Sequence, residues 1–302
     1  MELKLFKLPT SAMRFKKNFS RFIYEQHWTL GFIEGTLMDI VSGKPYDIHY
    51  VTGMPHDRWF ADPFILDCNE QTIQVLVEEY SYKIRRGRIA RLVIDRHHFN
   101  LLSYKIILDL PTHLSFPFIE RKDGKVYISP ENSASGSWNK YEYDISQDTL
   151  MKVDTVIHAP LTDAIKTSLL GEELIFSTQI PDQNGSVLIM YDANGIKKQV
   201  IDFPSKIARN AGDWFKVGNA IYRPAQDCND GYGCAVILQE VERDGDRLRF
   251  NEVRRIESTN PRFTTGCHTF NYYKDLIVVD VHGRRRPMLY SIVNSIRRQS
   301  QQ

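Results

Sequence analysis

Trp59-Phe60-Ala61-Asp62-Pro63-Phe64-Ile65-Leu66 sets one carboxylate inside an apolar, strand-forming run. Aromatic and β-branched residues favour a half-buried pleated surface. Pro63 biases Asp62 towards extended backbone, which would hold the direction of its side chain. Working outward, a polar residue in a similar setting recurs four times. His113 precedes Leu114-Ser115-Phe116-Pro117-Phe118, Asp163 sits in Leu161-Thr162-Asp163-Ala164-Ile165, Asp213 precedes Trp214-Phe215, and His268 lies in Gly266-Cys267-His268-Thr269-Phe270. The steps from Asp62 to His113, Asp163, Asp213 and His268 are 51, 50, 50 and 55 residues. Each start is followed by a strand, a turn and a second strand, as in Lys122-Asp123-Gly124-Lys125 between two apolar runs.

A period of about 50 residues fits one four-stranded propeller blade with its loops. Five starts predict an all-β, five-bladed β-propeller around a central channel over residues 25–292. The N-terminal runs HWTLGFIEG and YDIHYVTG then complete the last blade and close the ring. Residues 1–24 read as a leader with a short basic helix, and residues 293–302 as a tail.

Composition agrees. Of 302 residues, 42% are hydrophobic, so the chain can build a core and is not disordered. Aromatics at 12%, with 17 Gly and 13 Pro, suit strands and turns. A formal charge of +2 argues against a dedicated nucleic-acid binder. No stretch approaches the ~20 apolar residues of a membrane span, so membrane contact is at most peripheral, through the basic leader. Scattered cysteines (Cys68, Cys228, Cys234, Cys267) and no secretory pattern lead to an expectation of cytoplasmic localisation with reduced thiols. Nucleotide, serine-hydrolase and zincin motifs are absent.

In a propeller the innermost strands of all blades start at one channel mouth. The fold therefore predicts that Asp62, His113, Asp163, Asp213 and His268 converge, with Glu131 and Gln226 as further candidates for that face. Arg223, Gln226 and Tyr232, within RPAQDCNDGYG, bring planar hydrogen-bonding groups and an aromatic ring. Trp59, Trp138 and Trp214 lie near repeat starts. Such groups, with an aromatic platform, bind sugars, although tryptophans also pack between blades.

At these residues the chain resembles two families. WFADPFI, PLTDA and TGCHTFN are similar to blade starts of the five-bladed family-43 glycoside hydrolases. HLSFPFIERKDGKVYISPENS and RPAQDCNDGYG more closely resemble the N-terminal domain of the glucosamine inositolphosphorylceramide transferases, over roughly residues 25–290. The hydrolase resemblance implies Asp62 as general base, Asp163 as orienter and a carboxylic acid as proton donor. The acid expected at the start of blade four is missing, which leaves Asp213 or Glu131. Trp59, His113, Trp138, Arg223, Gln226, Tyr232 and His268 are the expected substrate contacts. No cofactor is implied, although a divalent cation beside His268 would be compatible. Three functions stay open: a glycoside hydrolase-like enzyme, a non-catalytic glycan-recognition module working with a glycosyltransferase on a carbohydrate or glycolipid ligand, and a propeller used only as a protein scaffold, which predicts no polar convergence in the channel.

Overall fold

The computed structural model describes residues 25–245 and 247–285. The expected leader and tail, and residues 286–292 of the expected propeller span, lie outside the described residues.

The chain opens with β1 (Glu25–Ile33), a one-turn helix α1 (Leu37–Val41) and β2 (Ile48–Tyr50). Thr36 caps α1 reciprocally with Asp39. Four complete sheets follow in sequence. Blade 1 is β3 (Arg58–Cys68), β4 (Thr72–Ser81), β5 (Arg86–Asp95) and β6 (Leu101–Leu108). Blade 2 is β7 (Ser115–Lys122), β8 (Lys125–Glu131), β9 (Trp138–Asp144) and β10 (Thr149–Ile157). Blade 3 is β11 (Leu161–Thr167), β12 (Leu174–Gln179), β13 (Val187–Asp192) and β14 (Lys197–Asp202). Blade 4 is β15 (Phe215–Val217), β16 (Ala220–Asp227), β17 (Ala235–Asp244) and β18 (Arg247–Ile256). Blade 5 joins the two ends of the described chain. Its order is β19 (Phe270–Tyr273), β20 (Leu276–Arg285), β1, β2, and β1 pairs with β20 from Glu25↔Arg285 to Ile33↔Ile277. The protein is thus a five-bladed β-propeller of antiparallel four-stranded blades, closed by its own N-terminal strands.

Hydrophobic contact between neighbouring blades holds the ring. Phe64, Phe116, Phe118, Trp138, Phe176 and Trp214 belong to one buried cluster running through blades 1 to 4. Leu30, Phe32, Val75, Leu92 and Val278 join blade 5 to blade 1. Burial of apolar area at about 25 cal/mol per Å² drives this packing. Turn chemistry fixes register: Asp123 and Gly124 both have positive φ (53° and 74°), as a two-residue hairpin turn requires. No helix among the described residues is long and apolar enough to cross a membrane.

One local device aims side chains into the channel. The pairing of β3 with β4 shifts register between Ala61 and Phe64, of β7 with β8 between Ser115 and Phe118, and of β11 with β12 between Thr162 and Ile165. Inside each bulge one residue is left-handed: Asp62 (φ 52°), Phe116 (φ 42°) and Asp163 (φ 45°). Two sequence expectations are corrected here. Asp62 is not extended despite Pro63, because the bulge and its hydrogen bonds override the local preference. The blade-two counterpart of Asp62 is Phe116, not His113, which lies ahead of β7. Asp tolerates the left-handed region better than most residues; for Phe it is a genuine outlier, of the kind whose cost is of order 1–3 kcal/mol.

Candidate functional site

At the Asp62 bulge, the left-handed backbone points the Asp62 N–H at Asp280, whose Oδ2 accepts it at 2.9 Å. The Asp62 carboxylate accepts from the Phe116 N–H (3.0 Å) and the Thr269 hydroxyl (3.0 Å). His268 joins the two acids: its Nδ1 lies 2.6 Å from Asp280 Oδ2 and its Nε2 3.5 Å from Asp62 Oδ1. The backbone N–H groups of His268 and Thr269 also donate to Asp280 Oδ1, both at 2.9 Å. Trp28 stacks on the imidazole at 4.0 Å.

The Asp163 bulge repeats the plan. Glu131, at the end of β8, accepts the Asp163 N–H at 3.2 Å, as Asp280 does for Asp62. Arg209 grips Asp163 through Nε (2.6 Å) and a second guanidinium nitrogen (3.1 Å), and reaches Glu131 at 3.2 Å. The Gln226 amide donates to Asp163 Oδ2 at 2.6 Å and to the Asn210 carbonyl at 2.9 Å. Tyr232, 45% exposed, lies above both clusters, edge-on to His268 at 5.2 Å and 5.2 Å from the Arg209 guanidinium.

Electrostatics separates the acids. Burial pushes Asp62 up to about 7, with His268 opposing. Burial also raises Glu131 well above the usual carboxylate range, opposed by Arg209 and assisted by the neighbouring Asp163 carboxylate. Burial acts on Asp163 too, but the Arg209 charge and hydrogen bonds outweigh it and hold Asp163 low. His268 is lowered by burial, yet Asp280 and Asp62 carry it up to about 9. The mouth thus sets the His268 imidazole, raised to about 9, between the Asp62 and Asp280 acids, and the Arg209 guanidinium between Asp163, held low, and Glu131, held high.

One ligand atom each from Asp62, His268 and Asp280 lies within 4.8 Å of the others, so this trio can hold a cation. In the arrangement seen, the proton on His268 supplies the positive charge there, because Nδ1 is committed to Asp280.

Of the residues expected from sequence, Asp62, Asp163, Glu131, Gln226, Tyr232 and His268 meet at this mouth. His113 is placed at the rim, where Nε2 lies 3.1 Å from Glu78 and Nδ1 accepts the Gly87 N–H. Trp59 is also at the rim, stacked on Tyr80 at 4.7 Å. Three expectations are corrected. Trp138 is 2% exposed and donates to the Ser129 carbonyl inside the blade packing. Arg223 is fully buried and directs its donors to Asn210, Gln239 and the Ile207 and Ala208 carbonyls. Asp213 belongs to a different neighbourhood: its N–H goes to Asn271, its carboxylate accepts the Trp214 N–H, and the cation acting on it is Arg121. The sequence reading missed Arg209, Asp280 and Thr269. Asp280 carried a usable signal, a lone carboxylate in the apolar run Leu276-Ile277-Val278-Val279-Asp280-Val281, since a charge in a buried strand needs a partner.

Comparison with known proteins bears on this arrangement. A family model described as "Glucosamine inositolphosphorylceramide transferase 1, N-terminal" matches residues 50–271. Glucosamine inositolphosphorylceramide transferase 1 of Arabidopsis thaliana is 27% identical over 207 residues, covering 63% of this chain and 26% of that protein. The protein of the same name from Oryza sativa subsp. indica is 29% identical over 203 residues, covering 62% and 26%. The chain therefore spans about a quarter of the length of these curated relatives. A solved structure titled "Structure of Dos1 propeller" aligns with 85% of this chain and 63% of its own, at 12% identity and a TM-score of 0.31.

Proposed function

The chain belongs to the glucosamine inositolphosphorylceramide transferase 1 N-terminal family, and we propose that its channel mouth is a carbohydrate-recognition site serving glycolipid or polysaccharide assembly. In this reading the glycosyl transfer named for the relatives is carried out by a partner glycosyltransferase, and the propeller holds a glycan or glycolipid headgroup. It needs no cofactor.

The observation that carries the proposal is the state of the two conspicuous aspartates. The Asp62 oxygens are taken by Phe116, Thr269 and His268, and the Asp163 oxygens by Arg209 and Gln226. A general base must offer a free lone pair to the water it deprotonates. These carboxylates instead pre-position their neighbours, which suits recognition. Tyr232 is an exposed aromatic surface at the mouth, and a sugar C–H face stacks on such a ring.

Glu131 favours a second reading. A buried carboxylic acid raised well above its ordinary range beside a carboxylate held low is the pairing a glycosidase uses to protonate its leaving group. Hydrolysis would then run with Asp62 as base and Glu131 as acid.

A glycan array combined with turnover assays on aryl-furanosides and oligosaccharides separates the two. Binding without turnover is the expected result. Turnover that disappears in both Asp62→Asn and Glu131→Gln replaces recognition with hydrolysis. An array on which no glycan binds refutes both.

A further inference from the structure

Towards the far ends of the inner strands, away from the bulges at the mouth, a cavity of about 540 Å³ opens between blades 1 and 2. It is bounded by the end of β3, the β7–β8 turn at Asp123-Gly124, and Tyr273 at the end of β19. Leu66, Val126, Ile145 and the rings of Tyr143 and Tyr273 give it apolar walls.

One charge in this cavity lacks a counter-ion. Arg91 holds both Asp148 oxygens, at 2.8 and 2.7 Å, and Lys274 holds Asp67 at 2.9 Å. Lys125 pairs with Glu142 at 2.9 Å, and Lys122 lies 3.7 Å from Glu173. Arg121 makes no ion pair among the described residues, the exposed Asp123 of the turn included. Its Nη2 donates to the Ile65 and Leu66 carbonyls at 2.8 and 2.9 Å, and its guanidinium carbon lies 4.0 Å from the centre of the Tyr273 ring. These contacts fix the guanidinium against one wall. No carbonyl or carboxylate oxygen among the described residues accepts from Nε or Nη1, and the side chain is exposed to the cavity. The walls still strip water from it: burial lowers Arg121 from its ordinary value, and Tyr273, Asp213 and Asp67 only partly offset this.

A partly desolvated cation beside apolar walls suits an anion with an apolar body. One unmatched positive charge calls for one negative charge. A phosphate monoester carries about −1.5 to −2 at pH 7, so part of its charge would stay unmatched. Arg121 stands at one wall, so the charge it receives belongs at an end of the ligand. A phosphodiester carries its charge between two substituents. A terminal carboxylate meets both conditions.

We propose that this cavity binds a monocarboxylate with an apolar body, its carboxylate on Arg121 and its body against Leu66, Val126, Ile145 and Tyr143. The site is separate from the mouth and does not depend on the carbohydrate reading.

The test is isothermal titration of the whole chain at pH 7 with naphthoate, naphthamide, naphthyl phosphate, dibutyl phosphate and acetate. Naphthoate is expected to bind at least ~10-fold more tightly than each of the others, about 1.4 kcal/mol. Arg121→Gln should bring naphthoate down to the affinity of the neutral amide. Because Arg121 also ties down β3, Ile145→Asp supplies a second variant at a position 73% exposed. Its like charge on the wall should weaken naphthoate at least ~3-fold and leave naphthamide unchanged. If naphthamide matches naphthoate, the cavity reads no charge and the anion assignment falls. If either phosphate matches it, the carboxylate assignment falls. If acetate matches it, the apolar body contributes nothing and the ligand class is wrong. If none of the five binds, or if naphthoate binds equally to both variants and the wild type, the site is refuted.

Discussion

Replacing Asp280 by asparagine tests the reasoning about the mouth most directly. His268 is raised from an ordinary 6.5 to about 9, against the downward pull of burial, and Asp280 is the largest upward cause. A folded-state value above the unfolded one means the native protein binds an extra proton between those limits. That stabilisation is complete below pH 6.5 and is lost as pH rises through 9. The difference of 2.5 pH units, at 1.36 kcal/mol each, makes the loss about 3 kcal/mol. The asparagine in Asp280→Asn keeps the shape, and its single carbonyl oxygen can still accept the His268 and Thr269 N–H groups, but an NH2 replaces the oxygen that accepts the Asp62 N–H, and the charge 2.6 Å from His268 Nδ1 is removed. The His268 midpoint should fall by at least ~1 pH unit, and the stability lost between pH 6.5 and 9 should shrink by at least ~1.4 kcal/mol. Histidine-selective 15N NMR reads the midpoint directly, with His268→Gln assigning the resonance among nine histidines. Urea titrations at pH 6.5 and 9 read the stability. A wild-type midpoint near 6.5, or one that does not move in Asp280→Asn, refutes the imidazolium bridge.

Three further outcomes follow from other contacts. Arg209→Met leaves Asp163 and Glu131 buried without their cation, so urea unfolding at pH 7 should show a loss of about 3–5 kcal/mol; a loss under ~1 kcal/mol would mean that the guanidinium contributes little. Gly233→Ala places a Cβ 2.5 Å from the His268 Cβ at φ 58°, whereas Gly124→Ala at φ 74° meets nothing within 4 Å. Both carry the cost of a left-handed backbone, about 1 kcal/mol, but only the first should also move the His268 resonances; equal effects on stability and spectra contradict the packing. Burial raises Asp213 to about 7, so its folded-state cost grows as pH rises from the ordinary carboxylate range to 7. Asp213→Asn should therefore be close to neutral at pH 4 and stabilising at pH 8 in thermal melts; a variant less stable at pH 8 than at pH 4, relative to wild type, would exclude this.

The ring of blades was legible in the chain because a blade is a local object. Each is a run of β-prone segments and turns repeated at near-constant spacing, and turns such as Asp123-Gly124 depend on their own residues. Asp62, Asp163 and His268 were found for the same reason, since equivalent positions in a closed ring must converge. The anchor slipped where the pattern was chemical instead of conformational: His113 is polar, but Phe116 holds the left-handed bulge. Asp213 was misplaced likewise, because sequence shows a carboxylate near a strand start but not which way the backbone turns it.

Pairing across the channel was decided only by the tertiary structure. Asp62 and His268 are separated by most of the ring in sequence, and Asp163 meets Arg209 and Gln226 from the next blade. Which acid holds its proton depends on burial and on the charge beside it, and both are properties of three-dimensional proximity. The sequence thus determined the blades, the closure and the region of the mouth. Ring closure, by excluding water and choosing partners, turned those residues into an imidazolium bridge on one side and a guanidinium-held pair of acids on the other.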